Sequence, residues 1–378
     1  MKILLLGEYS HLHNTLKKGL EALGHQVTLV GDGDGFKNFP VDISIRATLT
    51  EAPFFSTIKK GFFKLFGFDL SALERGLRFC NQESRFRNYD VVQLINERPI
   101  KTTPRLERYL LRKVFKYNKN VFLLSCGVDY ISVQFMLNKG FRYSLMNPYF
   151  ESPKTKVDYK YILDYTTKNH KKTHELVFNH VKGVIASDFD YVPPLKGHPL
   201  FLGLIPNPVD CTPIQYIKLH QEHKIKVFLG INRGTYLKKG LTYFEKSLEI
   251  IQEKYPDKVE ITVLENLPYA EYIKLYDKAH ILLDQVYAYD QGYNALEAMA
   301  KGKVVFTGAE KEFLQHYGLK EDEVCINALP DVNALVEKLS WLIEKPEEIS
   351  RIGENAREFI EREHHFVKVA ELYLKTWK

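Results

Sequence analysis

Residues 284–308 read DQVYAYDQGYNALEAMAKGKVVFTG, and the order of residue types in this stretch decides the fold class. The apolar run 280–283 before it predicts a strand. A polar, aromatic loop follows, and after Gly292 good helix formers predict a helix over 294–301, stopped by Gly302 and followed by a strand over 303–307. The result is a strand, loop, helix, strand unit with a glycine where the loop enters the helix. Such a corner leaves backbone N–H groups without partners at the positive end of a helix dipole, where a diphosphate can sit. Glu297 shares a helix face with Asn294 and is expected in the first turn or so, placed to accept a hydrogen bond from a sugar hydroxyl. The alternative is an ordinary βαβ unit whose early glutamate favours the dipole.

Leu296-Glu297-Ala298-Met299-Ala300-Lys301-Gly302-Lys303-Val304-Val305 resembles the L-E-A-M-A-x-G-x-P-V segment of the retaining GT-B glycosyltransferases of family four, which transfer sugars from nucleotide diphosphate donors. The resemblance implies an α/β protein of GT-B architecture, two Rossmann-like domains facing across a cleft. In that family the segment ends a motif of two glutamates separated by seven residues. Glu297 matches the second glutamate and Gly292 the internal glycine. The first glutamate's position holds Tyr289, and Asp290, one residue later, is the carboxylate able to stand in from a shifted register.

Upstream, residues 226–229 predict a strand, 230–240 (GINRGTYLKKG) a loop and 241–254 a helix. The loop resembles the same family's G-R-x-x-x-x-K-G element, whose arginine and lysine hold the donor diphosphate; Arg233 and Lys239 match it with one extra intervening residue. A departing nucleoside diphosphate accumulates negative charge, which fixed cations stabilise in the transition state. A strand at 259–264 and a helix at 270–279 follow, and by resemblance the turn at Leu267 meets the nucleobase through backbone groups. The donor side implied is Arg233, Lys239, Gly292, Tyr293, Asn294, Glu297 and Leu267.

The N-terminal half has the same grammar. Residues 2–6 predict a buried strand, 7–14 a loop holding Gly7, His11 and His13, 15–23 a helix closed by Gly24, and 27–30 a second strand. In open α/β sheets ligands bind at the C-terminal ends of strands, which makes Gly7, His11 and His13 the expected acceptor side and adds His13 to the catalytic candidates. The same rule selects Asp129, after the strand 120–125 and Cys126-Gly127-Val128. The first strand leads to Gly7-Glu8-Tyr9-Ser10 and not to G-x-G-x-x-G, which argues against an oxidoreductase. Asp32 and Asp34 alternate with glycines just after the second strand and read as turn residues, so no metal is expected.

Residues 53–69 (PFFSTIKKGFFKLFGFD) interleave phenylalanines with Lys59, Lys60 and Lys64. They suit either contact with an anionic bilayer surface or a helix packed on the sheet. Strand-type runs at 89–96 and 120–125 flank a basic helical stretch at 104–117; further on come a helix at 168–179 and a strand at 183–186. Prolines at 193, 194, 199, 206 and 208 mark a linker, dividing the chain into 1–205 (acceptor domain), 206–360 (donor domain) and a helix at 361–378 that by resemblance crosses back to the first domain.

The bulk properties agree. A chain of 378 residues exceeds what one core usually serves, and 45% hydrophobic with 26% charged residues is a globular balance. The net charge of +6 is too diffuse for a nucleic-acid partner. Cys80, Cys126, Cys211 and Cys325 form no C-x-x-C pair, and the apolar run after Met1-Lys2 is short for a signal peptide; both point to the cytoplasm. The expected activity is hexosyl transfer from a nucleotide sugar to a glycan or glycolipid, without cofactor, in surface polysaccharide assembly. An epimerase or phosphorylase on the same fold, or a non-catalytic sugar-nucleotide binder, is the alternative.

Overall fold

The computed structural model describes residues 1–55, 59, 61–62, 69–217, 224–265 and 269–378. The chain forms two compact units: Met1–Gln134 with Tyr161–Pro208 and Phe366–Lys378, and Phe135–Lys160 with Val209–His365.

The first unit is built on a wholly parallel sheet of β1 (Lys2–Leu6), β2 (Gln26–Gly31), β3 (Ile43–Ser44), β4 (Val91–Leu94), β5 (Val121–Ser125), β6 (Gly183–Ala186) and β7 (Phe201–Leu204). Their order is β3-β2-β1-β4-β5-β6-β7, so the direction of winding reverses between β1 and β4. Helices cover a parallel sheet on both faces, which is why its strands are continuous apolar runs: every residue of β4, β5 and β6 is buried. Leu4, Leu6, Val92, Leu94, Leu123 and Val184 lie at the centre of the core. The helices Pro104–Tyr117 and Lys168–Phe178 begin at a proline in the first turn and at a Thr167 cap, as the sequence signals.

Two local expectations change here. The helix after β1 runs Leu12–Ala22, starting three residues before its expected start at 15, because Leu12 N–H already bonds Tyr9 O and His11 takes a left-handed turn (φ 72°) ahead of it. His13 therefore lies inside the helix, not in a loop. The proline-rich stretch is also not a bare linker: Val192–Leu195 is a helical turn with prolines at its start, where their missing N–H costs nothing, and β7 is an edge strand flanked by Pro199 and Pro206.

The second unit holds β8 (Ile225–Ile231), β9 (Val259–Glu265), β10 (Ile281–Leu283), β11 (Val304–Thr307) and β12 (Ile326–Asn327), again all parallel, in the order β12-β11-β10-β8-β9. Winding reverses between β8 and β10. The helix Tyr293–Ala300 follows β10; its Ala295, Leu296 and Met299 are buried. Gly302 ends this segment at φ 82°, and a Cβ there would lie 2.4 Å from the Tyr216 ring, so both backbone and space require glycine. The helix Pro346–Glu363 packs against the same corner, with Gly353 so close that an added Cβ would sit 2.1 Å from Gly302 O.

Residues 135–160, expected with the first domain, pack in the second unit. Arg142 makes ion pairs with Glu310 (2.5 Å) and Glu312 (2.7 Å), and its backbone N–H donates to Tyr289 Oη (2.8 Å). Tyr143 donates to Glu310 as well. Pairings over some 150 positions leave no local trace in sequence. The last helix, Phe366–Thr376, packs within the first unit against Leu12–Ala22, where Gly19 lets Phe366 O come close.

Candidate functional site

In open α/β sheets the crevice beyond the C-terminal strand ends, where winding reverses, receives ligands. In the second unit those ends are Ile231 of β8 and Leu283 of β10, and the residues just beyond them are the 232–240 loop and Asp284.

The loop after β8 contains a short helix, Tyr236–Lys239, closed by Gly240 at φ 68°. Lys239 Nζ lies 2.8 Å from Asp284 Oδ1, and Asn294 Nδ2 donates to the same oxygen at 2.9 Å. Val286 N–H also donates to Lys239 O at 2.8 Å. One carboxylate, 2% exposed, thus ties the basic loop to the first turn of the helix Tyr293–Ala300. Gly292 is that helix's N-cap, with an ordinary extended backbone (φ −80°, ψ 170°), so its conformation does not demand glycine. Space does not demand it either: a Cβ there would meet nothing nearer than Gln285 Nε2 at 3.9 Å among the described residues.

Arg233 is bound in both prongs by Glu265, at 2.8 and 2.5 Å, and its guanidinium lies over the Tyr236 ring. That carboxylate raises its pKa. The pair is solvent-exposed, and such a bridge contributes little, so a diphosphate can compete for the guanidinium at small cost. Glu297 is exposed. Because the helix begins at Tyr293, Glu297 is its fifth residue and lies in the second turn, one register later than the expected first turn. Asp290 is buried (6%) and its carboxylate accepts the Gln291 N–H at 2.8 Å, with Gly308 against its backbone. Tyr289, at the first-glutamate position, is packed among Phe141, Tyr143 and Arg142. Leu267 lies outside the described residues.

Beside Tyr289, Glu310 accepts from Tyr143, Arg142 and Asn327 (3.2 Å). Burial alone would raise its pKa, but these bonds hold the carboxyl below its ordinary value.

In the first unit the reversal point lies between β1 and β4. Gly7 (φ 90°) follows β1, and His13 Nδ1–H donates to its carbonyl at 2.8 Å. His13 is fully buried, its Nε2 has no partner, and burial lowers its pKa to about 3, too low for a proton acceptor near neutrality. The catalytic expectation for His13 is therefore replaced by a core role. His11 caps the same helix through its backbone, its ring against Phe39. Asp129 is buried and accepts from Ser125 Oγ and from Ser132 N–H (2.7 Å), the bonds of a helix cap. Asp32 pairs with Lys101 (2.9 Å) and Asp34 with Lys37 (2.8 Å), as turn carboxylates do when neutralised. Among the described residues no group of three or more His, Cys, Asp or Glu side chains is arranged to hold a metal ion.

Sequence reasoning passed over Asp284, Glu8, Glu97 and Arg98. Glu8 is fully buried; its Oε2 accepts two bonds from Asn14, Oε1 has no partner, and burial raises its pKa to about 7. Glu97, also buried, accepts from His174 Nδ1–H at 2.7 Å. The signal that finds all four is position: each lies within four residues of the C-terminal end of a strand at a reversal point.

Residues 237–375 match the family described as glycosyl transferase-like. No curated protein matches the sequence. Among solved structures the fold is similar to sucrose-phosphate synthase from Thermosynechococcus elongatus (TM-score 0.62, 15% identity, 100% of this chain and 98% of that one). The chain has the GT-B fold. The GT-B fold is also similar to Anabaena HepE in complex with UDP and glucose (TM-score 0.58, 12% identity, 100% and 99% covered). A third similar structure is UDP-GlcNAc 2-epimerase from Neisseria meningitidis bound to UDP-GlcNAc (TM-score 0.52, 12% identity, 100% and 99% covered). The segment matched by the family model holds Lys239, Asp284, Gly292 and Glu297.

Proposed function

We propose that the protein transfers a hexosyl group from a nucleoside diphosphate sugar to a glycan or glycolipid, with retention of configuration, in the assembly of a surface polysaccharide. The observation that carries the reading is the joint of Lys239 and Asn294 on Asp284, which holds a cation and a helix N-terminus at the reversal point of the second sheet. Bound there, the diphosphate is met by Lys239, Arg233 and the N–H groups after Gly292, and Glu297 and Asp290 are assigned to donor hydroxyls. As the sugar departs, charge grows on the diphosphate, and groups already in place stabilise it without a metal ion. The HepE complex, with UDP and glucose, supports a donor of this class.

The test is a screen of uridine, guanosine and adenosine diphosphate sugars for binding, hydrolysis and transfer, with the product anomer read by NMR. An inverted product ends the retaining mechanism. Conversion of the nucleotide sugar without an acceptor favours the epimerase reading, which the similarity to the Neisseria enzyme supports. Binding without turnover points to a sugar-nucleotide binding protein.

We also place the work at the cytoplasmic face of an anionic membrane, because Phe54 and Phe55 are 81% and 42% exposed beside Lys59. Ile58, Lys60 and residues 63–68 of that cluster lie outside the described residues, and no described helix is long and apolar enough to cross a membrane. Vesicle sedimentation with and without Lys59, Lys60 and Lys64 changed to glutamate tests this; equal partitioning defeats it.

A further inference from the structure

The reversal point of the first sheet carries a cation, Arg98, with no carboxylate bound to it among the described residues. Arg98 follows β4, and its Nη1 donates to His170 Nε2 (2.9 Å) and its Nη2 to Thr102 O (2.9 Å), both neutral acceptors. His170 is itself fixed as an acceptor at Nε2, since its Nδ1 faces Thr167 Oγ1 at 2.9 Å. Burial, followed by the neighbouring guanidinium, lowers its pKa to about 4, so it brings no charge. Arg98 Nε is buried without a partner. The carboxylate with the greatest influence on the guanidinium, Glu107, spends its two oxygens on Ile100 N–H (3.0 Å) and Thr102 N–H (2.8 Å). Glu107 offsets the guanidinium's charge without bonding to it and raises its pKa, so the charge is stabilised while its N–H groups have no carboxylate bound to them among the described residues.

What surrounds Arg98 instead is phenolic. Tyr165, Tyr161 and Tyr9 are near enough to act on its charge. Tyr9 Oη accepts from Asn96 Nδ2 at 3.1 Å, which links the loop after β1 to the loop after β4 across the reversal point. Tyr161 and Tyr165 hydroxyls lie 3.3 Å apart, and Tyr161 is 55% exposed, so the cluster opens to solvent at that ring. Phenol hydroxyls donate to an oxyanion, while their rings line the face of a sugar.

We propose that Arg98, with Tyr9 and Tyr161, forms an anion subsite in the first unit that takes a phosphate or carboxylate carried by the acceptor sugar. The inference rests on the glycosyltransferase reading and narrows it: the acceptor is a sugar phosphate or a uronate, not a neutral glycan end. A planar guanidinium with free N–H groups suits two oxygens of either anion.

Calorimetric titration of the full chain with glucose 6-phosphate, glucuronate, inorganic phosphate and glucose tests the subsite and separates the two anions. At least one anionic sugar should bind ten-fold or more tightly than glucose. Arg98→Gln should abolish that difference, and Arg98→Lys should restore part of it. Because Arg98→Gln also loses the Thr102 bond and can unfold the chain, Tyr161→Phe serves as the second variant: it keeps the ring, and a several-fold loss of the anionic sugar is expected. Nucleoside diphosphate binding, measured on the same variants, should stay unchanged. If glucose binds as tightly as both anionic sugars, or if Tyr161→Phe and Arg98→Lys both bind the anion like the wild type, the subsite is refuted even where diphosphate binding stands; binding of inorganic phosphate alone, with no preference among the sugars, refutes it too.

Discussion

Lys239→Ala separates what the Lys239–Asp284 pair does for folding from what it does for the donor. Removing the ammonium leaves Asp284, 2% exposed, with the Asn294 amide as its remaining side-chain partner among the described residues. Orphaning one member of a fully buried pair costs about 3–5 kcal/mol. Here Lys239 is 32% exposed and already screened by solvent, so a loss of roughly 1–2 kcal/mol of stability is expected. Binding loses a charged hydrogen bond to the diphosphate, about 1.5–3 kcal/mol, or roughly a 10- to 150-fold rise in Kd. The double variant Lys239→Ala/Asp284→Asn removes the stranded charge as well, and should recover most of the stability but none of the affinity. Urea unfolding reads the first quantity and calorimetric titration with uridine, guanosine and adenosine diphosphates the second. Unchanged diphosphate affinity in Lys239→Ala, or affinity restored in the double variant, would show that the lysine serves the fold alone.

Asp290→Asn should slow turnover of the full sugar donor while leaving affinity for the free nucleoside diphosphate nearly intact, whereas Glu297→Gln should weaken both; wild-type transfer by Asp290→Asn moves the sugar contact to Tyr289 or elsewhere. Transfer should persist in excess chelator, because Lys239, Arg233 and backbone amides take the ion's part, and rescue of a chelated, inactive sample by magnesium or manganese would contradict this. Glu310 is held below its ordinary carboxyl value of 4.5, so its contribution to stability is present above that value and is lost as the pH falls through the lowered one. Unfolding midpoints compared at about pH 7 and about pH 3 should therefore fall less steeply in Glu310→Gln than in the wild type; identical slopes would mean that Glu310 ionises alike in both states.

The strands β5, β6 and β8–β11 and the helices Pro104–Tyr117 and Leu241–Lys254 were legible in the sequence to within a residue or two, as was the Gly302 stop. Parallel strands covered on both faces must be apolar runs, and a helix ends where glycine or proline permits, so the near neighbours in the chain carry that information. The helix entry at Gly292 and the basic loop at Lys239 were likewise readable as local structure, because each is a short run of residue types. Their meeting was not. Asp284 joins them only because β10 lies beside β8, a consequence of strand order that no local pattern encodes. The same holds for Arg142, which binds Glu310 across 168 positions, and for His13, whose residue type suggested chemistry but whose burial removes it. Side-chain charge, desolvation and partnership are set by what the fold brings within a few ångströms, and that is decided by the packing of distant segments.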